Sequence, residues 1–81
     1  MTTNYITVTD AAHVTDEILT LVREICDGWY LDKPIDWEDV WERVEKTPYP
    51  TFGSYVDLGP EVNTPAMRAI QRAIRAERRA S

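Results

Sequence analysis

Apolar residues recur at helical spacing in three separate stretches of this chain, and that periodicity constrains its fold more than any other feature. In the first stretch Val14, Ile18, Leu21, Val22, Ile25 and Trp29 share one stripe at about 100° per residue, and Leu19 and Cys26 widen it to roughly 160°. A stripe so broad suits a helix that touches two neighbours. Ala11 falls on the same stripe and favours a start near Asp10, whereas Thr15 offers a cap for a later one; the early start gives a helix over about 10–27, with Gly28 as its stop.

The second stretch is the best marked. Asp36 is a good N-cap, Asp39 stands where a capping-box acid belongs, and Ile35 and Val40 are spaced as a hydrophobic staple. Trp37, Val40, Trp41 and Val44 form one apolar face, with Glu38, Asp39, Glu42 and Glu45 on the solvent side. Thr47-Pro48 ends this helix, which spans 36–46. The third opens on Thr64-Pro65, a cap followed by proline at the first helical position, and runs over 64–79 with Met67, Ile70 and Ile74 facing the core.

Two segments are not helical. Residues 5–9, Tyr5-Ile6-Thr7-Val8-Thr9, alternate and are rich in β-branched side chains, which predicts a short strand. Thr47 to Asn63 carries Pro48, Pro50, Gly53, Gly59 and Pro60, yet also Tyr49, Phe52, Tyr55, Val56 and Leu58. A structureless connection of that length is unusual in a compact domain, so the aromatics are expected over the core, with 54–58 extended as a candidate partner for the first strand. The fold class is thus α+β and mostly helical, with three helices and one or two short strands. Its 81 residues make a single small domain, 1–81, that buries only about 60% of the surface its unfolded chain exposes.

Charge is segregated along this chain. Met1 to Val62 holds 13 Asp or Glu against four Lys or Arg, while Asn63 to Ser81 holds five Arg against Glu77 alone. On the third helix Arg68, Arg72, Arg75 and Arg79 fall within an arc of about 60°, beside a flank of Ala66, Ala69, Ala73, Ala76 and Ala80 that would admit a close neighbour. Such a row suits an acidic partner or phosphates, because guanidinium groups bind carboxylates and phosphates through paired donors. The same row also serves a solvated helix whose arginines favour its negative end, or pair with acids of the same domain.

Trp29, Tyr30, Trp37 and Trp41 bracket the loop between the first two helices. The three tryptophans fall on core stripes, which leaves Tyr30 as the aromatic expected at the surface and the one available to a partner. The acids Asp27, Asp32 and Asp36 near the second helix lack calcium-loop spacing, since apolar side chains occupy the ligand positions. His13, the only histidine, is expected to be a polar group at a helix start. Cys26, the only cysteine, is expected to be an inert buried thiol that cannot form an internal disulfide. On an early-starting helix the two stand about 20 Å apart, too far for a nucleophile and its base. No glycine-rich phosphate loop is present, no metal or cofactor is implied, and catalysis is not expected.

The N-terminus lacks a basic start and an apolar core, and no apolar run reaches membrane-spanning length, so a cytoplasmic protein is expected. In length and composition the chain resembles small accessory proteins carried by bacteriophages and mobile elements. The expected function is non-catalytic binding to another protein, as an adaptor, regulator or inhibitor, through Arg68, Arg72, Arg75, Arg79 and Tyr30. Nucleic-acid binding by the arginine helix is the alternative. It is weighed against by the net charge of −5 and by the lack of base-stacking aromatics beside the arginines.

Overall fold

The computed structural model describes residues 5–48 and 54–80. In chain order they form strand β1 (Tyr5–Thr7), a single 3-10 turn (Ala11–His13), helix α1 (Asp16–Trp29), helix α2 (Trp37–Lys46), strand β2 (Tyr55–Asp57) and helix α3 (Pro65–Ala80). The fold is α+β and mostly helical, as the periodicity predicts. The expected packing of Tyr49 and Phe52 lies outside the described residues.

β1 and β2 pair in parallel, with Tyr5 opposite Tyr55, Ile6 opposite Val56 and Thr7 opposite Asp57. Two helices intervene between them, and a parallel pair needs such a long crossover. The Val8 N–H donates to Asp57 O at 2.8 Å and extends the ladder by one rung. Val8, Val56 and Leu58 are fully buried under the helices, while the rings of Tyr5 and Tyr55 meet 5.9 Å apart at the outer end. Beyond β2 the chain turns at Gly59, whose φ of +92° is open to glycine at no steric cost; its N–H donates to the Asp57 carboxylate at 3.0 Å.

α1 is the shared neighbour of the other two helices, in keeping with its broad stripe. Ile18, Leu21, Val22, Ile25 and Cys26 are buried there, against Val40 and Val44 of α2 and Met67, Ile70 and Ile74 of α3. α2 also covers β2, and α3 lies on the 3-10 turn.

The start of α1 departs from the sequence expectation. Asp10 does cap, accepting from Ala12 N–H at 3.3 Å, but it caps only the 3-10 turn. Val14 then turns extended (ψ 112°), and Thr15 caps α1 by accepting from Ile18 N–H at 3.3 Å. Two capping residues compete within six positions, and the extended preference of a β-branched valine between them separates the turns. Ala11 is consequently exposed rather than on the core stripe. The end of α1 departs as well: the helix continues through Gly28 to Trp29, and Tyr30 N–H closes it on Cys26 O at 2.7 Å. A glycine stop requires a left-handed backbone, which Gly28 does not adopt.

α2 begins as its sequence signals. Asp36 accepts from the N–H groups of Glu38 and Asp39 at 3.2 and 3.3 Å. Asp39 does not complete a capping box; its carboxylate turns to Tyr30 and Arg43 instead. α3 opens on Thr64, which accepts from Met67 N–H at 3.1 Å, with Pro65 in the first turn.

Candidate functional site

α3 carries three faces. Met67, Ile70 and Ile74 are buried, and Ala66 is fully enclosed because its N–H reaches Thr9 O at 3.3 Å. The small residue at that position admits the chain just after β1. On the solvent side Arg68, Arg72, Arg75 and Arg79 are all exposed and, with Asn63 and Gln71, line a shallow open groove of about 480 Å³. Their contacts are with neutral groups. Arg68 donates to Asn63 Oδ1 at 3.3 Å, and the Arg75 guanidinium sits 6.0 Å from the centroid of the half-buried Trp37 ring. Among the described residues none of the four forms an ion pair.

The remaining arginines are engaged. Arg23 of α1 pairs with Glu77 of α3 at 2.6 Å, and Arg43 pairs with Asp39 one turn away in α2 at 2.7 Å. Arg78 points away from the row, donating to Cys26 O at 3.4 Å and Lys33 O at 3.3 Å. It thus places a cation on the carbonyl end of α1, where the helix dipole favours one. Its position about 60° off the row's edge was the only sequence signal for that different role.

The internal clamp that the acids of α2 could have supplied does not form. Glu38 and Glu42 are exposed, and Glu45 accepts from Leu58 N–H at 3.1 Å, tying α2 to the end of β2. None of the three meets an arginine of α3 among the described residues.

The aromatic loop is arranged differently from expectation. Trp29, expected in the core, is 58% exposed, at the end of the two further residues by which α1 runs past its expected stop. Its ring is covered on one side by the Arg43 guanidinium, 3.6 Å from the centroid. Tyr30, expected at the surface, is half-buried and donates its hydroxyl to Asp39. That bond holds the Tyr30 phenol up at about 12 and, with Arg43, keeps the Asp39 carboxyl below its usual range. Leu31 takes the exposed place. Trp37 and Trp41 pack against the core from its margin rather than inside it; Trp41 Nε1 is buried with no partner among the described residues.

Cys26 is enclosed, and burial pushes its thiol up to about 11, against a smaller opposing effect of Arg78. A thiol so held carries almost no thiolate at neutral pH. His13 is exposed, with Nδ1 accepting from Asp10 N–H at 3.2 Å and Thr9 N–H at 3.4 Å. Among the described residues no three His, Cys, Asp or Glu side chains converge as metal ligands, and no helix is long and apolar enough to cross a membrane. No protein-family model, curated protein or solved structure matches the chain.

Proposed function

We propose that the chain is a non-catalytic protein-binding module that docks on an acidic surface of another protein through Arg68, Arg72, Arg75 and Arg79. One observation carries this reading: the arginines divide into three with a carboxylate or backbone carbonyl partner and four with neither among the described residues. Arg23, Arg43 and Arg78 meet a carboxylate or a helix-end carbonyl, whereas the row on α3 has no carboxylate partner among the described residues. Exposed guanidinium groups on a helix stay hydrated in the free chain, and bidentate acceptors on a partner offset their desolvation on docking. Tyr30 has no part in this face, since its hydroxyl is engaged by Asp39 and it does not line the groove. The role would be that of an adaptor, regulator or inhibitor, and the length and composition fit an accessory protein of a phage or mobile element. A protein surface is favoured over nucleic acid because the whole chain is anionic and no exposed aromatic stands in the groove to stack a base.

The test is capture from the source cell with the parent chain and with Arg72→Glu/Arg75→Glu, alongside a mobility-shift assay on duplex DNA. Retention of an acidic protein by the parent and its loss from the variant is the expected result. Equal capture by both would overturn the assignment. Duplex binding with a log–log salt slope near about −3.6, as four neutralised phosphates require, would replace it with the nucleic-acid alternative.

A further inference from the structure

Two charged rows on this molecule are opposite in sign and matched in spacing. The arginines at 68, 72, 75 and 79 are separated by four, three and four residues, an order that reads the same from either end. Glu38, Glu42 and Glu45 on α2 are separated by four and three. At about 1.5 Å rise per residue the two rows have steps of about 6.0 and 4.5 Å, so three carboxylates stand opposite three guanidinium groups whichever way the helices run. Glu38 and Glu42 are exposed and ion-pair with nothing among the described residues, and Glu45 keeps one oxygen for Leu58 N–H.

The rows do not ion-pair within one molecule among the described residues. They do border one another. Arg75 reaches toward Trp37 at the first turn of α2, and Lys33, Pro34, Ile35, Trp37, Arg75 and Arg78 line a seam of about 350 Å³ there. In an isologous pair the arginine row of each copy would have to meet the glutamate row of the other. The contact is then made twice, with the same patch on both subunits, as an isologous interface demands.

We infer that, in the absence of its other acidic partner, the arginine face is occupied by α2 of a second copy of this chain, in a reciprocal, salt-sensitive dimer. This rests on the docking assignment above and names one surface that fits it. The net charge of −5 opposes association at long range, but at about 0.1 M salt the screening length of about 10 Å leaves the local, opposite-sign rows in control. The dimer covers the docking face, so an incoming partner must compete for it.

Sedimentation equilibrium on four samples tests this. At about 0.1 M salt the parent has twice the mass of one chain, falling to one chain at about 1 M, where the screening length is about 3 Å. Arg72→Glu/Arg75→Glu and Glu38→Arg/Glu42→Arg each have the mass of one chain. Their equimolar mixture regains the double mass, since each then offers the sign the other lacks. A parent that stays a single chain at about 0.1 M salt, or a mixture that does not associate, overturns the dimer. Circular dichroism of each variant confirms that a lost dimer is not a lost fold. The docking assignment is tested separately: it stands if Glu38→Arg/Glu42→Arg captures the acidic protein and Arg72→Glu/Arg75→Glu does not, whatever the mass of the parent.

Discussion

Gly59 and Gly28 show how unlike two glycines of one chain can be. At Gly59 φ is +92°, and a Cβ would stand 3.1 Å from the Thr9 methyl and 3.4 Å from the Thr64 methyl. Gly59→Ala therefore combines backbone strain with a clash that pushes Thr9 from the cap of α3, and should cost about 1–3 kcal/mol by chemical denaturation. Gly28 lies inside the last turn of α1 with nothing within 4 Å of a Cβ, so Gly28→Ala should raise stability by about 0.5–1 kcal/mol. Tyr30 and Asp39 give the pH dependence. The Tyr30 phenol is raised to about 12 in the fold, so its contribution is complete below the usual tyrosine value and is lost as pH climbs toward 12. The Asp39 carboxyl is lowered, so its contribution is complete above the ordinary carboxylate value and is lost as pH falls through the depressed one. In Tyr30→Phe both limbs of the stability–pH curve should flatten relative to the parent.

The elements were legible where a side chain and the backbone agree. Asp36 and Thr64 sit before strong apolar stripes, and both helices begin where those residues predict. Asp36→Ala should cost about 1 kcal/mol, read as a shift in denaturant midpoint at constant slope. Legibility failed where local signals competed. Asp10 and Thr15 both cap, and only the extended Val14 between them decides that the first forms a lone turn. Trp29 lies on the apolar stripe yet outside the core, because periodicity fixes direction around a helix and says nothing of where along the axis the core ends. Trp37 and Trp41 fall on the right face but at the edge of a core filled by Val40 and Val44. Trp41→Ala should therefore cost about 2 kcal/mol, below the 3–5 of a fully enclosed tryptophan. The parallel sense of the sheet was not legible, because two intervening helices permit a parallel pair without requiring it.

At the scale of the whole molecule, a small core is held by three helices over a minimal sheet, with ionic contacts fastening α3 to α1 among the described residues. Arg23 with Glu77 and Arg78 with the end of α1 both tie α3 to α1, whereas the row of Arg68, Arg72, Arg75 and Arg79 forms no ion pair among the described residues. The row itself was visible in the sequence from its spacing; that it lacks an internal acid partner was not, because the way α2 and α3 pack in space decides it. The most direct test is a denaturation comparison of Arg78→Ala with Arg72→Ala/Arg75→Ala, at a protein concentration low enough to exclude association. Arg78→Ala should lose about 1 kcal/mol and the double variant should match the parent within about 0.5 kcal/mol. A double variant destabilised as much as Arg78→Ala would show that the row is spent on holding the fold, and would contradict its assignment as a docking face.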